Sequence, residues 1–413
     1  MTYAKKLKPH EFSFPQGKGP SLGQLDIELT ERCNNNCIHC LINRPENDYH
    51  TRDKEMETAF VKDILKQAVD LGCLTVRFTG GEPLLREDFA ELYMFARRLG
   101  MHVILFTNGR LITPELAKLF AKYPPGKPIE ISVYGMHPES YDGAAGKKGA
   151  YEEFRRGIEL LREHKVWFVV KSSILPPNRA DMVEFEQWLT ELDVEDSQPR
   201  YAMNFDLRAR RDDPKKNERI KRLRLSPEET MSVLKRSPRY VKSMREFCGK
   251  FMSPPGDKLF SCGAGHGTCI DAYGKAQMCM GLRDPETVVD LHEATLKSAL
   301  EHSFPKLREA RASNPEYLAR CAQCFLKGLC EQCPAKSWME HDSSVYRILS
   351  HRLPYCPEVA VILEITCTKP LNPYRELLDA SKKFTQHQKL MRNVGSRNRH
   401  KLHGSRCHAG IKP

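Results

Sequence analysis

The chain has 413 residues, of which 40% are hydrophobic and 29% charged, a balance typical of a folded globular protein with room for two or more domains. No apolar run approaches the length of a membrane span, and the polar residues 1–18 lack the apolar stretch of a secretory signal. The 15 cysteines are spaced as metal ligands rather than as disulfide partners. We therefore expect a cytoplasmic protein with no membrane partner.

The net charge of +12 is concentrated at the end of the chain. Residues 381–413 contain nine Lys or Arg and no Asp or Glu. Such a block predicts a solvated, disordered tail, and nucleic acid is the less favoured partner for it. Residues 208–224 form a second basic patch that Asp and Glu interrupt, which indicates a charged linker or helix face able to touch an acidic peptide.

Strand-like and helix-like segments alternate from residue 25 to about residue 208. The predicted strands are Leu25–Thr30, Leu74–Thr79, His102–Thr107, Ile129–Tyr134, Val166–Ile174 and Ala202–Leu207. The predicted helices lie near 54–71, 87–99, 114–122, 151–164 and 180–192. Six strands joined by crossover helices predict a parallel sheet, which on these patterns alone could be an open doubly wound sheet.

Three cysteines follow the first predicted strand within eight residues: Cys33, Cys37 and Cys40. A short polar loop can turn three thiolates toward one point, where they would bind three irons of a [4Fe–4S] cluster and leave the fourth iron open. Taken alone, the triad is also compatible with zinc or with plain thiols.

A second motif, Gly80-Gly81-Glu82-Pro83, follows the second predicted strand. Two glycines let a backbone come close to a ligand, and Glu82 offers an acceptor for a cationic amine. Glycine pairs at strand ends are often only turns. The order of the two motifs, with a helix between them, favours a shared functional site.

The CxxxCxxC loop followed by GGEP resembles the radical S-adenosylmethionine (SAM) superfamily. The resemblance implies a partial (β/α)6 TIM-like barrel, a SAM-binding [4Fe–4S] cluster and SAM chelated by the open iron. Ligands of such barrels lie at the carboxyl ends of the strands. We expect the polar residues there to contact SAM, with Ser132 and Ser172 favoured, and the expected cofactor-binding set is Gly80, Gly81, Glu82, Asn108, Ser132 and Ser172.

The C-terminal half holds eight more closely spaced cysteines, at 262, 269, 279, 321, 324, 330, 333 and 356. Alone they fit two four-thiolate clusters or a zinc ribbon. Their order around Gly274 resembles the SPASM extension of radical SAM peptide maturases, although the last pair is spaced by two residues rather than the usual three. The resemblance implies one auxiliary [4Fe–4S] cluster on Cys262, Cys269, Cys279 and Cys333, and a second on Cys321, Cys324, Cys330 and Cys356.

These resemblances predict five regions. They are an N-terminal extension (1–22), a radical SAM partial barrel (23–210), a charged linker with helices (211–260), a small cysteine-rich SPASM domain (261–360) and a basic tail (361–413).

The implied function is that of a radical SAM oxidoreductase or maturase. A 5′-deoxyadenosyl radical would remove hydrogen from a substrate, a ribosomally synthesised peptide, with oxidation assisted by the auxiliary clusters. Met280 stands where anaerobic sulfatase-maturating enzymes carry an Asp, which argues against that activity. Few residues precede the first strand, so we expect a peptide substrate to need a separate leader-binding partner protein or a different docking surface, together with a low-potential electron donor. A small-molecule substrate, such as a tetrapyrrole or an alcohol, and a zinc-stabilised binding protein are the alternatives.

Overall fold

The computed structural model describes residues 22–42, 44–192, 200–202, 213–226, 256–260, 267–320, 322–323 and 334–341, together with residues 229, 232, 236, 238 and 242. Everything below refers to these residues. Six predicted cluster ligands, at positions 262, 321, 324, 330, 333 and 356, lie outside them, as does the basic tail.

A parallel sheet forms the centre of the fold. Its six parallel strands are β1 (Gln24–Thr30), β4 (Thr75–Gly80), β5 (His102–Thr107), β6 (Ile129–Val133), β7 (Phe168–Ser173) and β8 (Arg200–Ala202), and they are neighbours in this order. Two short strands, β2 (Arg32–Cys33) and β3 (Arg44–Pro45), pair separately. The predicted parallel sheet is confirmed. Of the last predicted strand only Ala202 lies within the described residues.

Helices connect these strands. They are α1 (Tyr49–Arg52), α2 (Thr58–Asp70), α3 (Phe89–Arg98), α4 (Pro114–Lys122), α5 (Pro138–Ala145), α6 (Ala150–Glu163), α7 (Met182–Glu191) and α8 (Pro214–Arg222). Thr113 caps α4, because its side chain accepts a hydrogen bond from the Leu116 N–H and proline takes the first helical position. Further helical segments of the C-terminal half are Leu296–Ser298, Ala299–Ser303, Phe304–Arg308, Pro315–Arg320 and Pro334–His341.

The two faces of the sheet differ in chemistry because side chains alternate along each strand. One face, the helix face, carries Leu25, Ile27 and Leu29 of β1, which are fully buried in the main hydrophobic core with residues of α2 and α3. The opposite face, here called the inner face, carries Asp26, Glu28, Arg77, Phe106, Glu130, Ser132 and Lys171. The apolar face holds the layers together, and the polar face is available for function.

The sheet continues beyond β1 into the C-terminal half of the chain. Strand β9 (Gly267–Ile270) pairs parallel with β1, and β10 (Lys275–Gln277) and β11 (Val289–Asp290) follow in antiparallel pairs. Gly274 makes the tight turn of this hairpin with φ +83°, where a side chain would meet Phe60 and His292. The predicted SPASM region is thus joined by backbone hydrogen bonds to the strand that leads into the cysteine loop.

Among the described helices, none combines the length and the apolar character needed to cross a bilayer.

The carboxyl end of β4 lies directly against the chain that leaves β1. The Gly81 N–H donates to the Thr30 carbonyl at 2.7 Å, and the Glu82 N–H donates to the Arg32 carbonyl at 2.8 Å. A Cβ on Gly81 would stand 2.1 Å from the Arg32 carbonyl oxygen and 2.7 Å from that of Glu31. The glycine pair therefore allows two backbone segments of this chain to pack closely against each other.

We predict that Gly81→Ala lowers the free energy of unfolding by about 1–3 kcal/mol, because the added methyl group collides with backbone atoms that have little room to move. Gly143→Ala is the matched control: Gly143 is exposed in α5 with its nearest neighbour at 3.7 Å, so alanine there is expected to stabilise by about 0.5–1 kcal/mol. Thermal or urea unfolding measures both. Equal effects of the two substitutions would contradict the close packing at Gly81.

Candidate functional site

The loop that carries the three cysteines is closed at its base. Cys33 belongs to β2, which pairs in parallel with β3 after the loop, and the Arg44 N–H donates to the Glu31 carbonyl at 2.8 Å. Within the loop, the Cys40 N–H donates to the Cys37 carbonyl at 3.1 Å. These bonds return the chain to its starting point, so that the three thiols stay near the carboxyl end of β1.

The loop rests on the end of α5. The N–H groups of Asn36 and Ile38 donate to the carbonyls of Ala145 and Ala144, at 2.9 and 3.1 Å. These carbonyls belong to the last turn of the helix and lack helical partners, so the loop satisfies them. Gly146 ends the helix at φ +62°, and a Cβ there would stand 2.2 Å from the Asn36 carbonyl oxygen. Only glycine permits this contact between helix and loop.

Glu82 is fully buried at the centre of the site. Its carboxylate accepts hydrogen bonds from the Thr107 hydroxyl at 2.8 Å, the Asn108 N–H at 2.8 Å and the Leu84 N–H at 3.2 Å. Burial raises the pKa of Glu82 to about 7, although the hydrogen bonds from Asn108 and Thr107 act in the opposite direction. A cationic ligand group beside it would stabilise the ionised form.

Residues after β5 hold the cysteine loop from a second side. The Asn108 side-chain amide donates to Asn34 Oδ1 at 2.7 Å and lies 3.8 Å from Cys33 Sγ. Arg110 is buried, and its Nη1 donates to the Asn34 carbonyl at 2.5 Å and to Asn35 Oδ1 at 2.6 Å. Sequence reasoning missed Arg110, although it follows the predicted strand end by three residues. Asn108, predicted to contact SAM, also fixes the loop.

The thiols fit the ligand set of an iron–sulfur cluster. Cys33 and Cys37 are buried and Cys40 is partly exposed. Burial, followed by the charge of Glu82, raises the pKa of Cys33, and burial raises that of Cys37 to about 12, with Cys40 adding to it. Such thiols need a bound cationic centre to become thiolates. No three His, Cys, Asp or Glu of the described chain stand as ligands of one metal ion, whereas in a cluster each thiolate binds its own iron.

Unpartnered polar groups surround the same loop. The side-chain nitrogens Nδ2 of Asn34 and Asn35 and Nδ1 of His39 are buried without a hydrogen-bond partner among the described residues. Buried polar groups of this kind cost free energy unless a further group satisfies them. Inorganic sulfide and the polar atoms of SAM would supply acceptors, so these residues fit a bound cluster.

The two favoured serines lie on opposite faces of the sheet. Ser132 shares the inner face with Lys171, its partner in β7, whereas Ser172 pairs with the core residue Val133 on the helix face. The Ser172 hydroxyl is within 3.5 Å of the Ser173 carbonyl. A contact between Ser172 and SAM stays a prediction, and the alternation along β7 favours Ser173 in its place.

Charged pairs line the inner face below the site. Arg77 binds Asp26 at 2.8 Å, and Lys171 binds Glu130. Both cations also lie over the Phe106 ring, at 4.6 and 4.8 Å from its centroid. Because each charge of these two pairs has a partner, this part of the inner face is polar but nearly balanced in charge.

The structure places two of the predicted auxiliary ligands on the hairpin beside β1. Cys269 is buried in β9 with its sulfur 4.0 Å from Glu28 Oε1, and Cys279 follows β10 by two residues. Arg283 pairs with the fully buried Glu28 and lies 3.6 Å from Glu31, which precedes the cysteine loop. This ion-pair group therefore connects the hairpin to β1, the strand that precedes the cysteine loop.

Comparison with known proteins agrees with this geometry. Residues 27–189 match the model of the radical SAM superfamily. The chain is 27% identical over 331 residues to AdoMet-dependent heme synthase of Methanosarcina barkeri, covering 75% of this chain and 90% of that protein. It is 35% identical over 137 residues to mycofactocin maturase MftC of Mycolicibacterium smegmatis, which is 33% of each protein.

Among solved structures, SuiB of Streptococcus suis bound to S-adenosylmethionine superposes with a TM-score of 0.58 at 17% identity, over 80% of this chain and 77% of that one. The similarity shows a shared fold, the TIM-like partial barrel. A parallel sheet with a three-thiol loop after its first strand defines the class of radical SAM proteins. Residues 27–189 therefore form a radical SAM domain, and the chain is a radical SAM enzyme.

We predict that Glu82→Gln weakens SAM binding about tenfold or more, because a hydrogen bond to an ionised group contributes about 1.5–3 kcal/mol. Glutamine keeps an acceptor for the Asn108 N–H, so the fold is expected to survive. Equilibrium dialysis with labelled SAM measures the affinity, and Glu87→Gln, at an exposed position five residues away, is the control. Equal affinity in the parent and the Glu82→Gln protein would remove Glu82 from the binding site.

Proposed function

We propose that this chain is a radical SAM oxidoreductase that removes a hydrogen atom from a bound substrate, with auxiliary [4Fe–4S] clusters taking up electrons. The observation that carries this proposal is the three-thiol loop at the carboxyl end of β1, with Cys33 and Cys37 buried and with the buried Glu82 carboxylate bonded to Asn108, which in turn holds the loop. Among the described residues, three thiols lie in this loop, so a cubane cluster bound there would have one iron open for SAM.

The residues of the site would have different roles. When bound, the cluster supplies the electron that splits SAM into methionine and a 5′-deoxyadenosyl radical. Cys33, Cys37 and Cys40 would hold the cluster, and Glu82 would bind the SAM ammonium group. Asn108 and Arg110 fix the backbone of the loop through Asn34 and Asn35. Rigid positioning matters here, since the radical reacts with whichever hydrogen atom is held against it.

The C-terminal half is proposed to be a SPASM extension with two auxiliary clusters. Cys269 and Cys279 lie on one hairpin, and backbone pairing with β1 holds this hairpin against the barrel sheet. The buried Glu28–Arg283 pair adds a second attachment. Cys269 and Cys279 would be ligands of an auxiliary cluster, and such a cluster would supply an electron acceptor when bound.

A ribosomally synthesised peptide is the proposed substrate class. The chain is similar to PqqA peptide cyclase, whose name gives a peptide as its substrate, and the balanced charge pairs of the inner face suit a polar chain. A leader-binding partner protein and a low-potential electron donor would complete the system, in the cytoplasm.

A tetrapyrrole is the second candidate, favoured by one specific observation. The match to AdoMet-dependent heme synthase extends over 331 residues, whereas the match to MftC extends over 137. Similarity that continues into the C-terminal half, where a substrate would meet the auxiliary clusters, supports a porphyrin-type ligand.

Cys37→Ala is expected to abolish production of 5′-deoxyadenosine by the anaerobically reconstituted protein under strong reductant. The substitution removes one of three thiolates and leaves the auxiliary cysteines unchanged. Cys73→Ala is the control, because this buried thiol, two residues before β4, donates to the Thr75 carbonyl, away from the loop. Full activity of the Cys37→Ala protein would overturn the proposed cluster site.

Incubation with candidate substrates separates the two classes. Short peptides encoded beside the gene and iron coproporphyrin are each supplied with SAM, and products are followed by mass spectrometry. Loss of hydrogen from a peptide with stoichiometric 5′-deoxyadenosine supports the maturase. Turnover of the porphyrin with no change in any peptide would replace it by the tetrapyrrole enzyme.

A further inference from the structure

Arg110 is a buried arginine whose guanidinium group lies against the start of the cysteine loop. Its side chain is 4% exposed, and its Nη1 donates to the Asn34 carbonyl at 2.5 Å and to Asn35 Oδ1 at 2.6 Å. Its backbone N–H donates to Asn108 Oδ1 at 3.0 Å, which fixes the residue just after β5. Hydrogen bonds from an ionised donor are stronger than those between neutral groups. The guanidinium group therefore binds this part of the loop tightly.

The peptide group that Arg110 binds also contacts a predicted cluster ligand. The Asn34 carbonyl and the Asn35 N–H are the two ends of one planar peptide group, because a peptide bond joins these residues. The Asn35 N–H donates to Cys33 Sγ at 3.4 Å. A charged donor on the carbonyl polarises the peptide group and strengthens the hydrogen bond that its N–H makes. The positive charge of Arg110 thus acts on the Cys33 sulfur through a single peptide group.

We propose that Arg110 is a positioning residue that raises the reduction potential of the SAM-binding cluster by polarising the peptide group between Asn34 and Asn35. The inference rests on the proposed function, since it requires a cluster on Cys33. Reduction adds one electron, from a low-potential donor, to the cluster and its thiolates. A stronger hydrogen bond to sulfur and a buried positive charge nearby stabilise the reduced form more than the oxidised form. Arg110 thereby eases electron uptake.

Glu153 offsets part of the charge of Arg110. Its carboxylate accepts a hydrogen bond from Arg110 Nε at 2.8 Å and lies 2.5 Å from Nη2, and its side chain, on α6, is 42% exposed. Replacing Glu153 by glutamine removes the negative charge and leaves Arg110 more effective as a polarising group. The two residues therefore predict shifts of opposite sign in the reduction potential, which a loosened loop alone would not give.

The test is a reductive titration of the anaerobically reconstituted full chain, followed by electron paramagnetic resonance. The SAM-binding cluster is recognised as the signal that changes when SAM is added. For Arg110→Gln we expect the ratio of reduced to oxidised cluster at a fixed potential to fall about tenfold, or about 59 mV for a one-electron couple. For Glu153→Gln we expect this ratio to rise about threefold, since a partly exposed charge acts more weakly than a buried one.

Two exposed residues of α6 supply matched controls. Arg156→Gln and Glu152→Gln remove the same charges as the two test variants, but from exposed positions. Water and salt screen charges at the surface, so both controls are expected to titrate as the parent does. The double variant Arg110→Gln/Glu153→Gln is expected to match Arg110→Gln, because Glu153 acts through Arg110.

The outcomes are distinct. An unchanged potential in either iron-loaded variant, shifts of the same sign, equal shifts in the surface controls, or an effect of Glu153→Gln that persists without Arg110 would overturn the role of Arg110. If Arg110→Gln takes up no iron, Glu153→Gln decides alone: a rise in potential supports the role, and no rise overturns it. A parent protein without a cluster signal that responds to SAM would instead overturn the proposed function.

Discussion

The site requires a short polar loop to hold three sulfurs so that they face one point. Such a loop is flexible by itself and must be fixed by its surroundings. A frame of buried hydrogen bonds provides this constraint. Glu82 ties the ends of β4 and β5 together, and Asn108 and Arg110 then reach from the end of β5 to the backbone and side chains between Cys33 and Cys37. Because these partners are buried, each broken bond would leave an unsatisfied group, so the frame has little freedom to relax.

Buried polar contacts also link the first site to the C-terminal half. Strand β9 extends the sheet beside β1, and Arg283 neutralises Glu28, which would otherwise be a buried charge without a counterion. Cys269 is carried into this junction with its sulfur against Glu28. The hairpin is therefore part of the barrel sheet, and the separation between the two cysteine groups is set by β1 itself.

Sequence patterns predicted the local elements well and long-range pairing poorly. Five parallel strands, β1, β4, β5, β6 and β7, lie where periodicity predicts strands, and periodicity acts over a few positions. The pairing of β9 with β1 joins residues more than two hundred positions apart, and no local pattern specifies it.

The site was predicted in part, for a similar reason. The motifs identified Cys33, Cys37, Cys40 and Glu82, whose spacing is local. The polar end of β7 carries two adjacent serines; the contact between Ser172 and SAM stays a prediction, although the alternation along the strand favours Ser173 for the inner face. Arg110 was missed because its hydrogen-bond partners, Asn34 and Asn35, lie in a loop that is distant in sequence.

Electron–nuclear double resonance of the reduced protein with isotopically labelled SAM tests the central claim most directly. With 15N in the amino group and 17O in the carboxylate of SAM, we expect couplings from both nuclei to the cluster on the cysteine loop, because the open iron would bind both groups. A reduced, intact cluster that shows neither coupling when SAM is bound would contradict it.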